Sequence, residues 1–201
     1  MSKLELRNVA VLPELRAEGD GSRLVGYASR FSEPVKPYLD WPEFTEIVGP
    51  DAFTRTLRER PDVRAVRNHD PNLVLARGKN GTLRLVVDRV GLAFDLTLNL
   101  DTSLGRDTRA DVTRGDIDGC SIGFMIARDD IVTDRDTGII TRTLLDVDLI
   151  EITPACTFPA NERATVEVRS LIEARVGVGR GSHRLALARR RLRLLDLDGR
   201  R

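Results

Sequence analysis

Histidine is almost absent from this 201-residue chain, which contains only His69 and His183. His183 lies in an arginine-rich stretch near the C-terminal end, so residues 1–170 hold a single imidazole. If the chain is an enzyme that uses a general base near neutral pH, His69 is the leading candidate. No other unperturbed side chain titrates in that range.

Cysteine is equally scarce, because Cys120 and Cys156 are the only two and neither belongs to a CxxC pair. Two cysteines do not make a disulfide framework, which argues against a secreted disulfide-rich protein. A zinc site built on them would need histidines that residues 1–170 lack. The G-x-x-x-x-G-K phosphate loop is also missing. We therefore expect no metal and no cofactor.

Long apolar runs are missing as well. No window approaches the length of a membrane span, and residues 1–7 lack the apolar region of a signal peptide. These features predict a soluble, cytosolic protein. The net charge of +1 argues against a simple nucleic-acid binder, and the aromatic content of 4% means that Leu, Val and Ile must fill the core.

The charge is unevenly distributed along the chain. Residues 171–201 carry nine arginines against three acidic side chains, whereas residues 1–170 are mildly acidic. Apolar residues recur at heptad-like spacing within residues 183–197, which predicts a basic amphipathic helix. We therefore divide the chain into a domain, residues 1–170, and a tail, residues 171–201. The tail is either a solvated terminal helix or an element for docking, self-association or binding acidic surfaces.

Short strand-like segments dominate the domain. They are Val9–Leu15, Arg23–Phe31, Phe44–Val48, Val63–Val66, Leu73–Ala76, Thr82–Asp88, Leu92–Leu98, Cys120–Ala127, Ile139–Thr153 and Thr165–Arg169. Two helices are predicted, one from Pro50 to just before Pro61 and one from Thr102 or Ser103 to about Arg114. Residues 154–161 read as irregular. This pattern favours an α+β fold with a small, antiparallel, partly closed β-barrel-like sheet and a few flanking helices.

Ser121 is a candidate nucleophile, because Gly119 and Gly123 would let a substrate approach it closely. A hydroxyl needs a base within hydrogen-bond reach, which His69 could supply. Spacing alone does not link the two, and an ordinary strand serine with a satisfied loop histidine is the alternative. Cys120 is a rival nucleophile, but adjacent residues of a strand face opposite sides.

Glu151 is the candidate third member. Period-2 alternation predicts that it shares a face with Val147 and Leu149, and is therefore partly buried. A buried carboxylate needs a partner, which could be an arginine or His69. Asp70 ranks below Glu151, because neighbouring side chains of an extended segment point apart.

Several short blocks occur in a specific order between Leu24 and Arg169. They are Phe44-x-Glu46-Ile47, Gly49-Pro50-Asp51-Ala52-Phe53, Asn68-His69-Asp70, Gly81-Thr82-Leu83, Asp88-x-x-Gly91-Leu92, Gly115-Asp116-Ile117-x-Gly119-x-Ser121-Ile122-Gly123-Phe124, Leu149-x-Glu151-Ile152 and Phe158-Pro159-Ala160-Asn161. In this order the chain resembles the prohead (capsid maturation) proteases of tailed phages. Those serine peptidases are distantly similar in fold to the herpesvirus assemblins.

The resemblance implies His69 as general base, Ser121 as nucleophile and Glu151 as the acidic third member. Two positions depart from the family pattern. Cys120 replaces an apolar residue before the serine, and Thr153 stands where a serine often follows the Glu-Ile pair. Arg142, in the strand leading to Glu151, is a further candidate to stabilise the oxyanion, directly or through water. The alternative is an exposed strand arginine.

The resemblance also implies a biological role. The enzyme would cleave the scaffolding segment of the major capsid protein, and then itself, inside the assembling prohead in the host cytoplasm. Self-association is expected, whereas no nucleic acid, membrane, metal or cofactor is required. The basic tail would direct the enzyme to the shell or be removed by autolysis. The alternatives are a non-catalytic capsid-assembly or scaffolding protein on the same fold, and an inactive remnant.

Overall fold

The computed structural model describes residues 4–8, 16–19, 21–34 and 44–156 of the chain. Within these ranges lie ten strands and two helices. The strands are β1 (Leu4–Asn8), β2 (Arg16–Glu18), β3 (Arg23–Arg30), β4 (Phe44–Val48), β5 (Arg64–Arg67), β6 (Asp70–Arg77), β7 (Leu83–Val87), β8 (Gly91–Thr97), β9 (Gly119–Thr133) and β10 (Ile140–Cys156). The helices are α1 (Thr54–Glu59) and α2 (Ser103–Arg114).

The larger sheet is organised around the 17-residue strand β10. Its order is β1-β9-β10-β5-β6, and β4 also pairs with β10. Strand β9 runs antiparallel to β10, whereas β4 and β5 run parallel to it. β10 is long enough to accept β4 along residues 140–144 and β5 along residues 151–155. The second of these contacts positions the candidate site.

The smaller sheet has the order β2-β3-β8-β7 and is antiparallel throughout. Its strand β8 confirms the predicted alternation, since Leu92, Phe94 and Leu96 are all buried. These side chains join Phe124 and Val147 of the larger sheet in one hydrophobic cluster. The two sheets therefore share a core of mainly aliphatic side chains.

Both predicted helices are present. Helix α2 begins after Thr102, whose hydroxyl accepts a hydrogen bond from the Gly105 amide at 3.1 Å, and it ends at Gly115 with φ +82°. This is the expected combination of a hydroxyl N-cap and a left-handed C-terminal glycine. Helix α1 begins at Thr54 and not at Pro50, because residues 50–53 form turns before it.

The predicted sheet architecture is confirmed only in part. The described residues are mostly β with two helices, as expected, but they form two sheets and no closed barrel. The prediction of one antiparallel sheet was wrong, because β4 and β5 pair in parallel with β10. Parallel partners are distant in sequence, so local alternation does not reveal them. Residues 154–156, predicted to be irregular, continue strand β10.

Some predictions fall outside the described residues. These are the segments Val9–Leu15 and Thr165–Arg169, the block at residues 158–161, and the basic tail with its amphipathic helix. The division at residue 170 stays a prediction. Strand β1 was not predicted from the sequence. Among the described residues, no helix combines the length and the apolarity that a membrane crossing needs.

Candidate active site

His69 lies at the tip of a tight hairpin between β5 and β6. Arg67 pairs with Asp70, so Asn68 and His69 alone form the loop. Both have positive φ values, +51° and +59°, as a type I′ turn requires. Non-glycine residues adopt this conformation infrequently, at a cost of roughly 1–3 kcal/mol each, and such strain is typical of functional sites. The turn presents the imidazole at a defined point.

The end of β10 holds this hairpin in place. The Asn68 amide donates to the Ala155 carbonyl at 3.1 Å, which extends the parallel pairing of β5 with β10. The His69 amide donates to the Thr153 hydroxyl at 3.3 Å. Backbone contacts on two successive residues therefore fix the position from which the ring projects.

The imidazole of His69 pairs with the carboxylate of Glu151. Nδ1 lies 2.6 Å from Oε1, and the two side chains are 11% and 12% exposed. A carboxylate at this distance acts as an acceptor, so we assign the hydrogen to Nδ1. Nε2 is buried and has no hydrogen-bond partner among the described residues. This nitrogen is therefore available to exchange a proton.

A β-bulge decides the direction of the Glu151 side chain. Leu149 pairs with Phe124, but Glu151 pairs with Gly123. A step of two residues along β10 is therefore matched by a step of only one residue along β9, which means that β10 has one extra residue here. Side chains of directly paired residues point to the same side. Glu151 thus faces away from Leu149, and the predicted shared face was wrong. The expected burial of Glu151 was correct.

Ser121 lies on the same face of the sheet as Glu151. It pairs directly with Thr153, two residues beyond the pair of Glu151 with Gly123. Gly123 makes this arrangement possible, because a Cβ atom added there would lie 2.3 Å from Oε1 of Glu151. The glycine two positions after the serine therefore creates the space that the carboxylate occupies.

The three predicted site residues are gathered on one face but are not all in contact. His69 and Glu151 are hydrogen-bonded, whereas Nε2 of His69 does not bond to Ser121 or to any other described residue. Ser121 itself is fully buried. The arrangement is a carboxylate–imidazole pair on the face that bears a buried serine.

The pKa of His69 is raised to about 9. Burial by itself would lower this pKa, but the interactions of the ring with Cys156 and Glu151 outweigh the effect of burial. The resting imidazole is therefore protonated at neutral pH. It becomes a base only as the pH approaches that value or when its surroundings change.

Two residues of this site were missed as functional candidates. Thr153 contacts both Glu151 and His69, although the sequence singled it out only as a departure from a serine. Cys156 is buried and pairs with Gly119 after a second register shift, which places it on the Ser121 face. No local sequence signal marks either role, because both depend on the bulges in β10.

The weaker candidates lie elsewhere. Cys120 is fully buried, its thiol is 3.7 Å from the Pro154 carbonyl, and burial raises its pKa further. The Asp70 carboxylate accepts from the Asn72 amide at 2.8 Å.

Arg142 does not belong to the site. Nine residues separate it from Glu151 along β10, which is roughly 30 Å of extended strand. It is buried, and its Nε donates to Asp129 at 2.8 Å. Both the suggested oxyanion role and the alternative of an exposed strand arginine were therefore wrong. Among the described residues, no cluster of three or more metal-binding side chains occurs.

The part of the chain that contains these site residues is similar to known proteins. Residues 11–175 match the model of a family described as caudovirus prohead serine proteases. The chain is 29% identical over 162 residues to the prohead protease of Enterobacteria phage HK97. This match covers 80% of the chain but 66% of that relative, so the chain spans just under two thirds of its length.

The chain also has a weak structural similarity to one solved structure among those compared. It is that of the capsid assembly protease of bacteriophage T4, with a TM-score of 0.49 and 10% sequence identity. The superposition covers 78% of this chain and 98% of the T4 chain.

Proposed function

Because the chain belongs to the caudovirus prohead serine protease family, we propose that it is a serine endopeptidase that matures the phage prohead. Its substrate would be the scaffolding segment of the major capsid protein, followed by the protease itself. The observation that carries this proposal is the 2.6 Å contact between His69 Nδ1 and Glu151 on the face that also bears Ser121.

In the proposed mechanism Ser121 is the nucleophile. Its hydroxyl oxygen attacks the peptide carbonyl while Nε2 of His69 accepts the hydroxyl proton. The imidazolium then gives this proton to the leaving amine as the peptide C–N bond breaks, which leaves an ester on Ser121. A water molecule attacks the ester and gives a proton to Nε2, and the enzyme is restored when that proton returns to the serine oxygen.

Glu151 acts through the imidazole. It accepts the Nδ1 hydrogen, so in the neutral imidazole Nε2 is the nitrogen that can accept a proton. It also stabilises the positive charge that the ring carries after accepting the proton. The short distance and the burial of both side chains strengthen this contact, because little solvent screens it.

The proposal extends to where and with what the enzyme works, and here it rests on the family to which the chain belongs. We infer that it acts inside the assembling prohead in the host cytoplasm, where the capsid protein is both container and substrate. Self-association is part of this proposal, because many copies would be confined in one shell. The basic tail, residues 171–201, would direct the chain to the shell or be released by self-cleavage.

Co-expression with the cognate capsid protein tests the proposal. The full-length chain is expected to produce a shortened capsid band and a shortened protease band. Ser121→Ala should abolish both, whereas Cys120→Ala should retain both, since its thiol is buried on the opposite face. Thermal unfolding of each variant checks that the fold survives.

Two results would contradict the proposal. If Ser121→Ala still shortens the capsid protein, the serine mechanism is wrong. If the unmodified chain supports prohead assembly but never shortens any protein, the alternative of a non-catalytic assembly or scaffolding protein is correct.

A further inference from the structure

The hydroxyl of Thr153 contacts both members of the His69–Glu151 pair. Its hydroxyl donates to Oε2 of Glu151 at 2.8 Å and accepts from the His69 amide at 3.3 Å. The same oxygen lies 3.3 Å from Nδ1 of His69. The side chain is completely buried, so water does not substitute for these contacts.

The chemistry of a hydroxyl suits this position. It carries one hydrogen and two acceptor lone pairs. The hydrogen is directed to the second oxygen of Glu151, while the lone pairs face the two N–H groups of His69. One atom thus contacts the carboxylate, the imidazole and the backbone of the strained turn.

We propose that Thr153 is a positioning residue of the catalytic unit, whose hydroxyl holds the Glu151 carboxylate and the His69 backbone in one arrangement and so aims the imidazole toward the Ser121 face. This proposal rests on the function proposed above. It adds that the unit is a four-residue network, in which the hydroxyl after the Glu-Ile pair is required, whether threonine or serine supplies it.

The strained turn explains why such a hydroxyl is needed. A histidine at φ +59° leaves this conformation readily unless its surroundings restrain it. Without the hydroxyl, Oε2 of Glu151 and the His69 amide each lose a buried partner. The carboxylate and the turn could then move independently, and a displacement of about 1 Å can cost about 100-fold in rate.

Three variants separate positioning from stability. Thr153→Val keeps the shape and the β-branched side chain but removes the hydroxyl. Thr153→Ser keeps the hydroxyl and removes only a methyl group. Thr56→Val is the matched control, because Thr56 is also fully buried and its hydroxyl accepts a single backbone hydrogen bond, from Leu149 at 3.1 Å.

The first measurement is the rate at which a fluorophosphonate probe labels Ser121 in the full-length protein. Thr153→Val should lower the maximal labelling rate about 10- to 100-fold, with little change in the probe concentration for half-maximal rate. Thr153→Ser should label at a rate within about threefold of the wild-type rate, a much smaller loss than the roughly 100-fold that misplacement can cause. Thr56→Val should destabilise the fold comparably but leave the labelling rate unchanged.

The second measurement reads the contact without any activity. The short Nδ1–H···Oε1 contact is expected to give a downfield proton NMR signal, assigned through its disappearance in Glu151→Gln. The signal should be lost or broadened in Thr153→Val and retained in Thr153→Ser and Thr56→Val.

The outcomes distinguish the two proposals. An unlabelled wild-type protein that still shows the downfield signal would contradict the protease function, while the NMR comparison would still test Thr153. If Thr153→Val keeps both the signal and the labelling rate, Thr153 is not a positioning residue. Equal losses in Thr153→Val and Thr56→Val would assign the effect to stability and overturn the proposal.

Discussion

Strand β10 buries charged groups near both of its ends, and the two sites differ in one respect. Near its start, Arg142 donates to Asp129 at 2.8 Å and lies 3.5 Å from Glu46. All three of these side chains are at most 5% exposed. Near its end, Glu151 contacts His69, and both side chains are nearly as well buried.

The two sites differ in whether their cationic side chain can lose its proton near neutral pH. An arginine remains protonated in proteins, so the Arg142 cluster holds a fixed charge and contributes structure. A histidine can lose its proton, and Nε2 of His69 makes no hydrogen bond to any described residue. Burial of charge alone therefore does not distinguish the two sites. Only the His69 pair contains a group whose ordinary pKa lies near neutral pH.

The largest expected effect comes from the same substitution made in each of these two buried clusters. Glu151→Gln should lower the rate of capsid-protein cleavage about 10⁴-fold, because an amide can donate to Nδ1 and favour the wrong tautomer of His69. Glu46→Gln should leave that rate within about threefold, since it perturbs only the fixed-charge cluster. Cleavage time courses of both variants test this contrast, and equal losses would refute it.

A smaller effect is expected where a methyl group would enter the space of the carboxylate. Gly123→Ala places a Cβ atom 2.3 Å from Oε1 of Glu151, so the carboxylate must move away from His69. We expect about a 100-fold loss of cleavage rate and a smaller change in stability, because the end of a glutamate side chain is flexible.

A double-mutant cycle sharpens the Gly123 prediction. If the alanine acts by displacing the carboxylate, Gly123→Ala should have little additional effect in the Glu151→Gln background. Fully additive losses would show that Gly123 acts through something other than Glu151.

The smallest expected effect is on the pH dependence of the cleavage rate. This dependence should follow the ionisation of His69 and not the Arg142 cluster. Catalysis needs the neutral imidazole, so the cleavage rate should rise with pH toward the His69 pKa of about 9. Cys156→Ala should shift this rise to lower pH, because it removes a group that raises this pKa. An unchanged pH profile would exclude that contribution of Cys156.

Stability should depend on pH with the opposite sign. The folded pKa of His69, about 9, lies above its ordinary value of 6.5, so the folded state binds this proton more tightly. The stabilisation is complete below pH 6.5 and is lost as the pH rises through 9. Urea unfolding across this interval should show the decline, and Glu151→Gln should reduce it.

Local sequence signals predicted much of the fold. The alternating residues of β8 and the capped helix α2 were found because these patterns depend on neighbours in the chain. The strand before His69 was predicted at Val63–Val66, and the structure has it at Arg64–Arg67. The parallel pairs of β10 with β4 and β5 were missed, since their partners lie about 85 to 100 residues away in sequence.

The candidate site was predicted less evenly. Ser121, His69 and Glu151 were named from the sequence, and the structure gathers them on one face. Their catalytic roles remain a proposal. The reason given for Glu151, its alternation with Leu149, was wrong because a bulge lies between them. Thr153 was noted only for its residue type, and the position of Cys156 was not foreseen.

The sequence by itself determined which chemistry is available: one imidazole in residues 1–170, a serine flanked by glycines, and a carboxylate in an apolar strand. Tertiary structure decided that these groups share one face and that the imidazole contacts the carboxylate. The bulge before Glu151 turns the carboxylate to the serine face, and parallel pairing brings the His69 turn beside it. Alternation is a local property of the chain, whereas bulges and parallel pairs are set by packing between distant segments.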